Sequence, residues 1–180
     1  MKGSVFCEFV EMMEEEFTAD MADEIISSTE LESGGAYTTV GTSDHHEMLA
    51  LVTQLSEKTC TPVPDLDRAF GRYLFGRVVQ LYPTFFEGVD GAFRILDRIE
   101  EHVHVEVRKL YPDAELPTFA TSRPNDDTMV MVYQSRRPFA DLAHGLIEGC
   151  ITHYNEPINV ESEDLSNDGR THVHFTLTRK

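Results

Sequence analysis

The hydrophobic texture of this chain changes at Pro112. Upstream, apolar residues recur three and four apart, the spacing that gathers them into one stripe of an α-helix. Downstream they mostly alternate, which puts every second side chain on one face of a strand. A chain divided in this way forms helices first and then strands flanking one further helix. That is α+β, with a helical N-terminal part and a C-terminal part built on an antiparallel sheet of about four strands with flanking helices.

The helical part reads in five segments. Residues 4–17 carry Val5, Phe6, Phe9, Val10, Met13 and Phe17 on one side, with Glu11, Glu14, Glu15 and Glu16 as the wet face. A short helix with Met21, Ala22, Ile25 and Ile26 follows, until Gly34-Gly35 breaks the pattern. Asp44 with Glu47 three residues later predicts a capping box. The helix it opens turns Met48, Leu51, Val52 and Leu55 inward. Pro64 suits the first turn of the next helix, whose face is Leu66, Phe70, Tyr73, Leu74, Val78 and Leu81 and which Pro83 ends. Beyond Gly88 and Gly91 comes one long helix with the stripe Phe93, Leu96, Ile99, Val103, Val107 and Leu110.

In the second part, Thr128 to Ser135 places Met129, Met131 and Tyr133 on one side and Val130 and Val132 on the other. This predicts a strand buried on both faces. Residues 139–154 return to helical spacing through Leu142, Leu146, Ile147 and Cys150. Strands over 158–161 and 172–178 are joined across Asn167-Asp168-Gly169, a hairpin-type turn.

The chemistry concentrates between His104 and Arg137. His104 sits in the long helical pattern beside its apolar stripe, and Pro117 lies thirteen residues further on. Tyr133, Ser135 and Arg137 follow at i, i+2 and i+4, which on a strand aligns them on one face over ~13 Å. Two hydroxyls and a guanidinium in a row suit a ligand with two carboxylates, since Arg pairs with carboxylate as a planar fork. An imidazole that can bind metal, with a clamp for two carboxylates, matches what haem needs.

His104, Pro117 and Tyr133-x-Ser135-x-Arg137 together resemble the signature of the H-NOX family, the haem nitric oxide/oxygen-binding sensor domains. Bacterial members often stand alone, and animal members form the sensor part of soluble guanylate cyclase. The resemblance runs over essentially the whole chain, through Met1-Lys2-Gly3, Ala69-Phe70-Gly71, Tyr82-Pro83-Thr84-Phe85-Phe86 and Gly145-Leu146-Ile147-Glu148-Gly149. It implies a single domain over 1–180, with a helical lobe over about 1–60, a haem-cradling lobe over about 61–180, and haem b between them. It further implies that His104 is the proximal iron ligand and that Tyr133, Ser135 and Arg137 hold the propionates. Pro117 would press on the porphyrin and hold it out of plane.

The resemblance also narrows the gas. Members that bind oxygen stably carry a distal tyrosine nine residues after the signature tyrosine, and this chain has Leu142 there. Phe9 and Leu74 stand where oxygen binders have polar residues. Val5, Phe9, Leu74, Phe75, Leu142 and Leu146 would then form an apolar distal pocket without a hydrogen-bond donor. The expectation is a sensor that binds nitric oxide and carbon monoxide and excludes oxygen. Its signal would pass through weakening of the His104–iron bond and a shift between lobes. The family's usual bacterial partners are separately encoded histidine kinases or cyclic-di-GMP synthases and phosphodiesterases.

Charge and cysteines exclude several other classes. Fifteen Lys and Arg against 32 Asp and Glu give a net charge of −17, without the basic face a nucleic acid requires. Cys7, Cys60 and Cys150 lack metal-type spacing and suggest reduced thiols. Some family members hold zinc through a C-terminal cysteine cluster; only Cys150 is available here, so none is expected. No Cys-x-x-Cys-His occurs, so haem would be non-covalent. Neither a signal h-region nor a membrane span is present, which points to the cytoplasm and no membrane insertion.

The remaining histidines read as bystanders. His102 is two positions from His104, nearly opposite on the helix, and should be exposed. His172 and His174 should face water, because Val173, Phe175 and Leu177 take the other face of their strand. His45-His46 should be a solvated turn. The alternatives to the gas sensor are an oxygen or redox sensor, a haem-free module using the Arg137 row for another dicarboxylate, and a metal hydrolase built from His102, His104, His172 and His174. No nucleophile triad, phosphate loop or paired catalytic carboxylates accompany these residues, so the protein is not expected to be an enzyme.

Overall fold

Four helices open the computed structural model, which describes residues 1–167 and 169–180: α1 (Gly3–Glu16), α2 (Ala19–Ser28), α3 (His45–Thr59) and α4 (Val63–Leu81). Their stripes close on one core of Phe6, Phe9, Met13, Ile25, Leu51, Leu55, Leu66 and Phe70. Local chemistry sets the ends. Thr18 Oγ1 accepts the Met21 N–H at 3.1 Å to cap α2, and Asp44 accepts the His46 N–H at 2.8 Å to cap α3.

Glu47 does not complete the expected capping box. It is 6% exposed and accepts from Ser33 N at 2.8 Å, Ser33 Oγ at 2.6 Å and the Tyr37 hydroxyl at 2.9 Å. A buried carboxylate needs several donors, and the loop before α3 supplies more of them than the helix end could.

The expected long helix is three pieces. α5 (Ala92–Asp97) and α6 (His104–Leu110) are separated by a π-turn over Ile99–Val103, in which Val103 N–H reaches back five residues to Arg98 O at 3.3 Å. The apolar stripe runs on across the turn, so spacing alone did not reveal it. Leu81 and Leu110 also leave the packed core. They are 53% and 52% exposed and line the cavity described below.

The sheet is antiparallel throughout, in the order β1-β2-β4-β3, with β1 (Thr118–Asn125), β2 (Thr128–Ser135), β3 (Ile158–Asp164) and β4 (Thr171–Arg179). Helix α7 (Ala140–His153) connects β2 to β3. The α+β expectation is met, with seven α-helices and four strands among the described residues.

The expectation that β2 is buried on both faces is not met. Met129, Met131 and Tyr133 are buried against the second core, with Phe93, Leu96, Ala143, Ile147 and Phe175, while Val130 and Val132 are half-buried. The helices cover one face of the sheet and leave the other to water, as antiparallel sheets allow. Asn167 and Arg170 bond each other's backbone beside the β3–β4 turn; its central residue Asp168 lies outside the described residues.

Helices α4 and α7 pack through Gly71 and Gly145. α4 serves both cores, with Leu66 and Phe70 in the first and Phe75 against the second. No described helix is long and apolar enough to cross a membrane.

Candidate cofactor site

Parts of α1, α4, α6 and α7, with the end of β2, line a cavity of ≈ 820 Å³, a volume in the range of cofactor sites. His104 opens α6 directly after the π-turn and is 8% exposed. Its Nδ1 lies 3.0 Å from Glu100 Oε1, and the same oxygen accepts the Phe119 N–H at 2.8 Å. A carboxylate next to Nδ1 draws the ring proton there and leaves the Nε2 lone pair for a metal. Burial lowers the imidazole's pKa, against the upward pull of Glu100, so the neutral ligand form is favoured.

Tyr133 is 2% exposed and meets the Phe119 ring edge-on at 5.4 Å. Burial raises its pKa, which keeps the phenol protonated as a donor. Ser135 ends β2. Arg137 is not on the strand, as the alternation had suggested, but in the bend beyond it. The turn fixes it: Ser135 Oγ accepts the Arg137 N–H at 3.0 Å, and Thr171 Oγ1 donates to Arg137 O at 2.9 Å. The Arg137 guanidinium pairs with Glu115. Tyr133, Ser135 and Arg137 all line the cavity, as does Pro117 just before β1.

Val5, Leu74, Phe75, Leu142 and Leu146 also line it, and none of these side chains carries an O–H or N–H. Phe9 does not. It is fully buried in the helical core, edge-on to Phe70 at 5.0 Å, because its position on α1 turns it toward α4 rather than into the cavity. The sequence reading also passed over Met1, Phe86, Ile99 and Phe119 in the lining, and Glu100 behind His104. Only Glu100 left a signal, a carboxylate four residues before the histidine, where helical geometry makes neighbours.

The other histidines divide. His102 is half-buried rather than exposed, 6.4 Å from the Phe85 ring, because the π-turn breaks the helical phase assumed for it. His46 is solvated, but His45 is half-buried and lines the cavity. Asp44, His45 and His46 each offer a ligand atom within 4.8 Å of the others. His172 and His174 are half-buried, their Nε2 atoms 3.2 Å apart. Cys150 is buried in the lining, which pushes its thiol pKa up.

The residues present fit a haem. A buried imidazole has one nitrogen engaged by a carboxylate, the cavity walls are largely aliphatic and aromatic, and a phenol, a hydroxyl and a guanidinium share its lining. A haem would need a nitrogen for its iron, an apolar sleeve for its ring and donors for its carboxylates, and these residue types can supply them.

Comparison with known proteins agrees. A family model described as Haem-NO-binding matches residues 2–162. The Fe(II) unliganded H-NOX protein of K. algicida is 37% identical, with a TM-score of 0.92 over 100% of this chain and 97% of that one. The H-NOX of Shewanella woodyi, bound to IWP-051 in its Fe(II)CO state, is 40% identical, with a TM-score of 0.84 over 100% and 95%. A point mutant of T. tengcongensis H-NOX is 26% identical, with a TM-score of 0.89 over 100% and 98%. Among curated proteins no match is found.

Proposed function

Because the chain belongs to the Haem-NO-binding family, whose domains are haem-binding sensors rather than enzymes, we propose that it is a nitric oxide sensor. In this reading it holds haem b without a covalent bond, takes nitric oxide and carbon monoxide, and excludes oxygen. The observation that carries the reading is one cavity that joins a neutral, Glu100-backed His104 to a wall of donor-free side chains.

When bound, haem would supply an iron centre able to take a diatomic gas, held by the His104 nitrogen. The chain's own residues do the rest. His104 presents Nε2. Tyr133 and Ser135 donate from their hydroxyls and Arg137 from its guanidinium to the two carboxylates, while Pro117 supplies a rigid, donor-free surface beside them. Val5, Leu74, Phe75, Leu142 and Leu146 withhold the hydrogen bond that oxygen needs and that nitric oxide and carbon monoxide do not.

Release of His104 would free α6, and the helical lobe, about 1–60, would move against the lobe of about 61–180. The two states must differ in affinity for a partner if this motion is to signal. A histidine kinase, or a cyclic-di-GMP synthase or phosphodiesterase, is the partner we propose, with the protein working in the cytoplasm. Three unpaired cysteines are compatible with that compartment.

The visible spectrum of the reduced protein tests this. A Soret band that depends on His104 and shifts with nitric oxide, with no stable oxygen complex in air, is the expected result. A protein that takes no haem, or that keeps oxygen bound, overturns it.

A further inference from the structure

We infer that Glu100 is the positioning residue for His104, fixing which ring nitrogen faces the cavity and tying that ring to the first strand of the sheet. The inference rests on the haem reading above. One oxygen, Oε1, serves two donors from different elements, His104 Nδ1 at 3.0 Å and the Phe119 N–H at 2.8 Å. Its other oxygen lies 4.0 Å from Arg108 Nη2, a long charge contact.

The position is structurally particular. Glu100 lies inside the π-turn and His104 is the residue that follows it. β1 is an edge strand, and its Phe119 N–H goes to Glu100. The carboxylate therefore links the α5–α6 segment to the sheet at the same atom that orients the histidine. Phe119 also packs at 6.0 Å from the His104 ring, so a movement of that ring meets β1 through both a hydrogen bond and a ring contact.

Two consequences follow from chemistry alone. A carboxylate accepting from Nδ1–H makes Nε2 a stronger donor to a metal. Glu100 therefore sets how hard the His104–metal bond is to break. Any displacement of His104 also pulls on an oxygen that β1 shares, which gives the sheet a direct path to register it.

Three variants of the full chain separate charge from position. Glu100→Gln keeps an acceptor oxygen for both donors but removes the charge. Glu100→Ala removes both, and Glu100→Asp keeps the charge but falls one methylene short. Before haem is added, nitrogen-15 NMR of labelled histidine should show the His104 proton on Nδ1 in the wild type and in Glu100→Gln, and a mixture of tautomers in Glu100→Ala. After haem is added, resonance Raman should show the iron–histidine stretch lowered in Glu100→Gln and lowered further in Glu100→Ala. Haem should be held about ten-fold less tightly in Glu100→Ala, the usual size of an outer-shell loss. Glu100→Asp should recover part of the stretch.

A tautomer and a stretch that are unchanged in Glu100→Ala overturn the inference. If Glu100→Ala does not fold, Glu100→Asp decides, since it falls one methylene short of both donors, and a tautomer and stretch identical to wild type there overturn the inference. A wild type that takes no haem overturns the haem reading instead, and the tautomer measurement still decides whether Glu100 orients His104.

Discussion

Gly71 of α4 and Gly145 of α7 meet with no room for a side chain. A Cβ on Gly71 would stand 2.7 Å from Gly145 Cα and 2.3 Å from Leu142 O, and one on Gly145 would stand 2.1 Å from Arg68 O. These obstacles are backbone atoms, which cannot swing aside. Gly145→Ala should therefore force the helices apart at about 1–3 kcal/mol, lowering the melting temperature by roughly 2–4 °C for each kcal/mol. The same helices bring Leu74, Leu142 and Leu146 to the cavity. An unchanged thermal melt would show that the contact is slack.

Asp67 gives the fold a pH dependence in the neutral direction. Burial, reinforced by Asp141, raises its pKa from 3.8 to about 7. Between those values the folded protein keeps a proton that the unfolded chain has lost, so stability falls as pH rises through that interval and levels off above it. Asp67→Asn should be more stable than wild type at pH 8, with the difference vanishing toward pH 4. Urea denaturation at the two pH values decides; equal differences at both would rule the effect out.

Glu47 acts in the opposite sense. Burial alone would raise its pKa, but hydrogen bonds from Ser33 and Tyr37 outweigh that and hold it below 4.5. Its contribution is present above the ordinary carboxylate value and is lost as pH falls through the folded value. Glu47→Gln should lower stability at pH 7, because Ser33 and Tyr37 lose a charged acceptor at about 1.5–3 kcal/mol for such bonds. It should also flatten the acid side of the stability curve below pH 4.5. A variant that is as stable as wild type at pH 7 would refute this.

Arg137→Lys tests the clamp. A lysine is a point charge and cannot reproduce the planar fork, so haem retention should weaken on the order of ten-fold, the loss of about one charged hydrogen bond. Transfer of haem to apomyoglobin measures it. Wild-type retention would remove Arg137 from the clamp.

Leu142→Tyr tests gas selection. A phenol at this position puts a donor among the apolar side chains of Val5, Leu74, Phe75 and Leu146, and the reduced variant should hold oxygen longer than wild type when stirred in air. Identical decay of the two spectra would mean that Leu142 does not decide selectivity.

Periodicity located α1 to α4, α7, β3 and β4 from their dry and wet sides, and it located β2 by alternation while taking both of its faces as buried. It gave no strand at β1, where Thr118, Ala120, Ser122, Arg123, Pro124 and Asn125 are exposed edge residues without an alternating apolar set. It could not show the break before His104, since Ile99 and Val103 continue the stripe across it. That His104, Pro117, Tyr133, Ser135 and Arg137 belong together was legible from their residue types, and they line one cavity. Their placement was not, because Arg137 depends on a turn built by Ser135 and Thr171, contacts distant in sequence or made by backbone. Phe9 was misplaced for a related reason: α1 has a broad apolar face, and its pattern does not say which part meets α4 and which part meets a cavity.

The π-turn makes the step into α6 intolerant of a change in length. It accommodates one residue more than a regular helix would. Closing the same residues as a regular helix, or adding one more, would rotate everything after them by about 100° relative to α5. The imidazole would swing away from the cavity while composition and hydrophobic pattern stayed almost the same. An insertion in the loops over 29–44 or 112–117 does not rotate α6 in this way, so a change of length there leaves the direction of His104 alone.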